Sequence, residues 1–357
     1  MTVDTLFSWL GGLIPVMEGS GILLVISILV PCLALFLVVA VNAIVMVYAE
    51  RKVSAFMQDR VGPMGQGVGL HAGKWGLLQT VADALKLLTK EDIIPEKADR
   101  FLFILAPFVI FIGAFVTIIA VPFGETIIVA DFNIGIFYIL AMGSFGVIGI
   151  ILAGWSSNNK WSLYGGMRSA AQIVSYEIPA GLSIIVIIML TGTLSMQGII
   201  EYQTGGMGNL IIFANPFTFI AFFIYFISVI AETNRTPFDI PEAESELVGG
   251  FHTEYSGMRW SFFFLSEYAN MLVVCAVAAA GFLGGWHSPM SGYFDSNGWG
   301  IFWMVSKIVF LIFIMMWFRW TFPRLRVDQL MNICWKVFLP VSLINIFGVG
   351  IWTLFFG

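Results

Sequence analysis

Eight apolar runs divide this chain of 357 residues. Each run has about 20 residues, enough for a helix to cross the ~30 Å hydrocarbon layer of a bilayer. None alternates apolar and polar residues as the strands of a membrane barrel do, and the mean hydropathy of +0.92 is far above that of a soluble protein. We therefore predict an all-α polytopic membrane protein that forms a single integral domain over 1–357. The predicted transmembrane helices lie near 22–48, 101–121, 135–155, 172–194, 210–230, 260–283, 299–318 and 335–356.

The basic residues fall on one side of these spans. Of the 17 lysines and arginines, all but Lys307 lie in the first, third, fifth or seventh loop, or at the adjoining foot of the last span. Loops rich in lysine and arginine stay in the cytoplasm. We predict that these loops face the cytoplasm, or the matrix of an organelle, and that both termini lie on the other, periplasmic side. The first 21 residues have no basic segment, so we interpret them as an extramembrane or interfacial lead-in rather than a cleaved signal peptide.

Cysteine and histidine give no sign of a metal site. Cys32, Cys275 and Cys334 lie in or beside apolar spans without a C-x-x-C pattern, and the three histidines are scattered. Free cysteines in such positions behave as small buried hydrophobes. No glycine-rich nucleotide motif is present either. We expect no metal and no cofactor bound by this chain alone, so any redox cofactor belongs to a partner or a substrate.

The long first loop, residues 50–100, contains a glycine-rich segment at 62–76 and then an amphipathic pattern. Apolar residues recur at helical spacing while polar residues face away. The pattern predicts an interfacial helix that forms the lip of a lateral opening for a lipid-soluble molecule. A helix packed under a soluble partner explains the same pattern, and the two interpretations are compatible. The apolar face comprises Leu77, Leu78, Val81, Leu85 and Leu88, and the polar face comprises Gln79, Asp83, Lys86 and Lys90.

Three charged residues fall well inside the predicted spans: Glu177, Glu267 and Lys307. A charge at the bilayer centre costs roughly 2.5–3.5 kcal/mol on insertion scales, so such residues usually face a bundle interior or a water path. We interpret both glutamates as functional; the alternative is a structural acid with a local hydrogen bond. The partner of Lys307 is not readable from the sequence, and its side chain can instead reach toward the interface.

The fifth loop, residues 231–259, is acidic. Five of the chain's 22 acids lie within 231–251 against one base, Arg235, and apolar residues flank them. Capping patterns predict short helical turns here. Because a merely solvated acidic surface does not need apolar flanks, we interpret the loop as functional. The five acids are Glu232, Asp239, Glu242, Glu244 and Glu246.

Six stretches between residues 50 and 332 carry a resemblance to a known family. They read ERKVSAFMQDRVGP, GLLQTVADALKLLTKEDIIP, GWSSNNKWSLYGGMRSAAQIVSYEIP, AETNRTPFDIPEAESELVGGFHTEYSGMRW, FFLSEYANM and RWTFPRLRVDQLM. In this order they resemble the H-subunit family of NADH–quinone oxidoreductase, respiratory complex I. A related hydrogenase subunit remains an alternative, as does a stand-alone secondary transporter, which would be expected to have two similar halves.

The resemblance implies a membrane subunit of a proton-pumping NADH:quinone oxidoreductase in a bacterial cell inner membrane or, alternatively, a mitochondrial one. It implies part of a quinone tunnel, and partner subunits that carry FMN and the iron–sulfur clusters, but no complete active site, no directly catalytic residue and no nucleic-acid partner. We further expect the fifth loop to couple quinone reduction to protonation, with Arg235 as the counter-charge of its acids. The implied tunnel residues are Arg51, Asp59, Arg60, Arg235, Asp239, Glu242, Glu244 and Glu246. The implied proton path comprises Glu177, Glu232, Glu254 and Glu267.

Overall fold

The computed structural model describes residues 21–64, 76–241, 244–290 and 297–356, without the side chains of residues 21–24, 244, 245 and 297. Within these ranges the chain is helical and contains no strand, which confirms the all-α prediction. The α-helices in chain order are α1 (Gly21–Met57), α2 (Gln79–Thr89), α3 (Arg100–Ile118), α4 (Gly135–Gly143), α5 (Phe145–Ser156), α6 (Lys160–Thr191), α7 (Met196–Glu201), α8 (Ile211–Ala214), α9 (Pro216–Glu232), α10 (Glu244–Leu247), α11 (Gly257–Phe282), α12 (Asn297–Thr321), α13 (Val327–Ile333) and α14 (Leu339–Phe356). Two 3₁₀ turns lie at Met207–Asn209 and Gly250–His252, and a π-helical segment at Cys334–Phe338 joins α13 to α14.

Seven of the eight predicted spans are long and apolar enough to cross a membrane in the described part of the chain. The protein is therefore a multi-pass membrane protein. The remaining predicted span, near 210–230, is divided by Asn215 and Pro216, which cap the start of α9. At 1.5 Å per residue, the 17 residues of α9 reach only about 25 Å. The count of eight spans thus stays a prediction, as does the orientation of the termini.

Two helices extend further than the sequence predicts. α1 continues to Met57, so Glu50 and Arg51 lie on a helix rather than in a loop. α6 begins at Lys160, so Arg168 and Glu177 share one helix. At one end of the bundle α1, α9 and α12 end, and α6 and α11 begin. The loops that are rich in lysine and arginine adjoin this end, so we call it the basic side. We call the other end the opposite side.

The predicted span at 135–155 consists of two helices. α4 ends at Gly143 and α5 begins at Phe145, with Ser144 between them. Glycine weakens a helix interior by roughly 1 kcal/mol relative to alanine, and Gly143 and Gly146 flank this break. The break turns the Ser144 side chain toward Glu177 of α6, to which it donates a hydrogen bond.

α6 and α11 form the centre of the bundle. α6 packs against α5, α9 and α14, and α11 packs against α1, α3 and α12. Small residues allow the close approaches, as is common between membrane helices. A Cβ atom on Gly149 would collide with Ile110 of α3, and one on Gly154 would lie 2.9 Å from the backbone oxygen of Ser162 at the start of α6.

The predicted amphipathic helix is confirmed as α2. Four leucines point away from the bundle: Leu77 and Leu78 just before the helix, and Leu85 and Leu88 within it, are 44–59% exposed. The other side of α2 packs against α1 and α11. There Asp83 forms an ion pair with Arg51 of α1 at 2.6 Å. The leucine face thus remains available to lipid or to a partner subunit.

Candidate functional site

An ion cluster lies inside the basic side of the bundle, and Arg235 is at its centre. The Nη1 atom of Arg235 donates to both carboxylate oxygens of Glu50 at 2.9 and 3.0 Å. Its Nε lies 2.8 Å from Oε1 of Glu267. Arg319 at the end of α12 also binds Glu50, and the Tyr268 hydroxyl donates to Glu50 at 2.5 Å. Two guanidinium groups thus neutralise two carboxylates brought together from α1, α11, α12 and the turn after α9.

Burial makes this cluster sensitive to any loss of charge. The side chains of Arg235 and Glu50 are only 5% and 8% exposed. Burial tends to lower the pKa of Arg235, but Glu267 and Glu50 outweigh that effect and keep its pKa well above the ordinary value. Removing one partner of a buried pair typically costs 3–5 kcal/mol, because the other charge stays buried and unpaired.

The predicted role of Arg235 as counter-charge of its own loop is wrong for the acids described. Asp239 pairs with Arg324 at 2.9 Å, and the exposed Glu246 pairs with Arg168 at 2.7 Å. Arg235 instead points inward, to Glu50 and Glu267, which without it would lack their shared counter-charge inside the bundle. Glu242 and the side chain of Glu244 lie outside the described residues. The loop does form the predicted short turns, α10 and the 3₁₀ turn after it.

Burial raises the pKa of Asp239, and Arg324 opposes that rise. Burial also lowers the pKa of His252, in the 3₁₀ turn of the same loop, to about 4. His252 is therefore neutral at pH 7. The loop thus contains a carboxyl group, that of Asp239, which binds a proton more readily than usual. It also contains an imidazole, that of His252, which binds a proton less readily than usual.

Three neighbouring cavities lie in the bundle, and adjacent ones share walls. The outer crevice, about 320 Å³, lies between α1, α2 and α11, with Arg51 and Asp83 among mostly apolar walls. The inner cavity, about 140 Å³, is lined by Arg235, Arg319, Glu267 and Glu232 of α9. Trp260 and Phe264 of α11 are walls of both.

The deep cavity lies further along the bundle. It measures about 30 Å³ and is lined by Glu177 and Glu232 with apolar residues of α4, α9 and α11. Glu232, Gly143 and Asn270 are walls of both the inner and the deep cavity. A water needs about 10–15 Å³ of such space, so the deep cavity has room for about two waters between the carboxylates.

Comparison with known proteins shows the family of the chain. A sequence model of the NADH dehydrogenase family matches residues 30–350. The chain belongs to the NADH dehydrogenase family. It is 54% identical to the H subunit of the NADH-quinone oxidoreductase of Chlorobaculum tepidum over 318 residues, 86% of this chain and 87% of the relative. It is 48% identical to an H subunit from Geobacter sulfurreducens over 353 residues, 93% of this chain and 97% of the relative. The H subunit from Bacteroides thetaiotaomicron is 46% identical over 330 residues, 90% of each chain.

The structure of this NADH dehydrogenase family member brings together only some of the predicted site residues. Glu177, Glu232 and Glu267 line the inner and deep cavities, which share walls. Glu254 lies apart from them and accepts a hydrogen bond from Asn159 at 2.5 Å. Arg51 is a wall of the outer crevice. The exposed Asp59 and Arg60, in the turn after α1, line none of the three cavities.

Sequence reasoning missed several residues of the site. Glu50, Tyr268 and Arg319 belong to the ion cluster, and His252 and Asn270 line the inner cavity. Glu50 gave a signal, because it is an acid directly after a long apolar run, inside the motif that begins the first loop. The others also lie within the quoted stretches, but nothing in the sequence distinguishes them from the other polar residues there.

Proposed function

We propose that this chain is the quinone-tunnel and coupling subunit of a proton-pumping NADH:quinone oxidoreductase. A quinone enters laterally through the outer crevice and passes the ion cluster in the inner cavity. Its reduction changes the charge and protonation of that cluster. Protons then move among Glu267, Glu232 and Glu177. The names of the relatives support the proposal that this chain is a subunit of such a complex. The cavities support its proposed role in binding quinone and in coupling.

The observation that carries this proposal is that the three cavities are neighbours with shared walls. Trp260 and Phe264 lie between the crevice and the inner cavity, and Glu232 and Asn270 lie between the inner cavity and the deep one. A lipid-soluble substrate and a chain of carboxylates therefore meet at the same ion cluster. Neither a closed helical bundle nor an isolated buried ion pair would require this arrangement.

The crevice suits an isoprenoid quinone because its walls are mostly apolar and its lip, α2, exposes leucines. Removing a buried chain from lipid costs ~0.8 kcal/mol per CH₂, so an apolar mouth lets the tail stay in a lipid-like environment while the headgroup moves inward. Arg51 and Asp83 supply polar groups at the same mouth, within reach of a headgroup.

The remaining assignments follow from the same proposal. The basic side faces the cytoplasm of a bacterium, with α9 as the eighth span and both termini in the periplasm. Partner subunits supply FMN, the iron–sulfur clusters and the far end of the tunnel. The fifth loop, including Asp239 and Glu246, lies against that tunnel and retains a coupling role that does not depend on pairing with Arg235.

A narrowed crevice tests the quinone path. Ala84 of α2 is exposed and lines the crevice, so Ala84→Trp is expected to narrow the opening with little cost to folding. We expect NADH:quinone activity of the assembled complex to fall several-fold with a long-tailed quinone. NADH oxidation by an artificial acceptor in the hydrophilic arm should be unchanged. Steady-state rates of both reactions in membranes measure this.

The neighbouring Leu85→Trp is the matched control. Leu85 is 44% exposed on the same helix but does not line the crevice. We expect near-normal activity from this variant. Equal activity of the two variants with a long-tailed quinone would exclude this crevice as the path by which quinone enters.

A further inference from the structure

Lys307 lies near the middle of α12 and binds a loop at the opposite side of the bundle. Its Nζ donates to the backbone oxygens of Gly285 and His287, each at 2.8 Å. The loop follows α11 and turns back on it, because the Gly285 amide donates to Ala279 of α11 at 2.9 Å. Irregular backbone near membrane depth persists only where its polar groups are satisfied. Lys307 satisfies two of them.

A second long side chain acts beside it. The Nε2 of Gln203, just after α7, donates to the Ala280 oxygen at 2.8 Å and lies 3.3 Å from that of Gly281. Its Oε1 accepts from the Ile211 amide at 3.2 Å. Gln203 is fully buried, and it satisfies carbonyl groups that the end of α11 would otherwise leave unpaired.

Residues 195–211 and 283–289 thus form a cap, which we call the opposite-side cap. Its interior is apolar and closely packed: Met196, Ile199 and Ile200 are at most 1% exposed. Gly285 has a φ of +50°, and a Cβ atom there would lie 2.7 Å from Ile200. A side chain at residue 285 would therefore push the loop away from Lys307.

The cap lies directly beyond the deep cavity. Val277 of α11 is a wall of that cavity. Two residues further along α11, Ala279 accepts the hydrogen bond from Gly285, whose own oxygen binds Lys307. The Lys307 ammonium is thus separated from a wall of the deep cavity by one loop and two hydrogen bonds. A positive charge about 10 Å from an acid lowers the proton affinity of that acid by a factor on the order of ten at an effective dielectric constant of about 20.

We propose that Lys307 is an electrostatic seal. Its charge, held in place by the opposite-side cap, stops protons in the deep cavity from crossing to the opposite side of the membrane. Protons on Glu177 and Glu232 are thereby confined to movement within the membrane arm. This inference rests on the proposed function in one respect, because the leak that the seal prevents runs through those acids. It assigns a role to Lys307, whose ammonium lies away from the basic side.

The test is a passive leak measured without turnover. Vesicles containing the purified, assembled complex receive an imposed pH gradient, and its collapse is followed with no NADH and no quinone added. Lys307→Met and Lys307→Gln are both neutral, but Gln retains an amide donor. We expect each to speed the collapse on the order of tenfold. Lys307→Arg, which keeps the charge and the donors, should behave as the parent.

Adding Glu177→Gln to Lys307→Met separates a specific leak from a damaged membrane domain. We expect the second change to remove the leak. A leak that persists in the double variant would overturn the proposal, as would a parent-like collapse in both neutral variants. Failure of both neutral variants to assemble would also overturn it, since Lys307 would then be a structural residue. The proposed function is judged separately, by quinone-dependent turnover and pumping of otherwise unchanged complexes.

Discussion

Replacing Arg235 with leucine is expected to remove nearly all of the assembled protein from the membrane. The change leaves Glu50 and Glu267 facing each other inside the bundle without their shared counter-ion, and Arg319 alone cannot neutralise both. The expected cost of 3–5 kcal/mol is a large part of a total stability of about 5–15 kcal/mol. Native electrophoresis of solubilised membranes, with immunodetection of this chain, measures the loss.

Two further variants identify the cause of that loss. Arg168→Leu breaks the exposed pair with Glu246, which is worth about 0–1 kcal/mol, so assembly should be unchanged. The triple variant Arg235→Leu, Glu50→Gln, Glu267→Gln removes the buried charges together. Because no unpaired buried charge then remains, we expect assembly to recover while quinone-dependent activity stays low. Normal assembly of Arg235→Leu alone would mean that the ion cluster contributes little to the fold.

Features encoded by neighbouring residues could be predicted from the sequence. The apolar runs mark the spans, because a membrane helix satisfies its own backbone and needs only length and hydropathy. The spacing of Leu77, Leu85 and Leu88 marks α2 for the same reason, since one face of one helix carries the signal. Glu177 and Glu267 stood out because an acid is rare in an apolar run. All of these features are local.

The site itself could not be predicted, because its contacts join distant parts of the chain. Arg235 and Glu50 are 185 residues apart, and Tyr268 and Glu50 are 218 apart. Arg235 was assigned to the acids next to it in sequence, but burial decided its partners instead. The break at Ser144 also depends on a contact between distant residues. The sequence shows the glycines on either side of the break, but the carboxylate that Ser144 binds belongs to another helix. The partners of Lys307 are backbone atoms, which leave no trace in side-chain patterns.

The Glu177→Gln complex is expected to lose quinone-coupled proton pumping almost completely and to turn over quinone slowly. Glutamine has nearly the same size and can still accept the hydrogen bond from Ser144, so the packing of α4, α5 and α6 should survive. It cannot take up and release a proton. Glu177 and Glu232 are the two carboxylates among the described walls of the deep cavity, so without a titrating group at residue 177 a proton on Glu232 would have no second carboxylate there to move to.

Three measurements on the same vesicles test whether Glu177 carries protons. NADH oxidation by an artificial acceptor should remain normal, since the hydrophilic arm alone performs it. NADH:quinone turnover should fall, and the pH gradient formed per NADH oxidised should fall much further. Glu201→Gln, an exposed acid at the end of α7 on the opposite side, is the matched control and should leave all three unchanged. If the Glu177→Gln complex pumped normally, its hydrogen bond with Ser144 would be its whole role, and the proton path would have to leave this chain at Glu232.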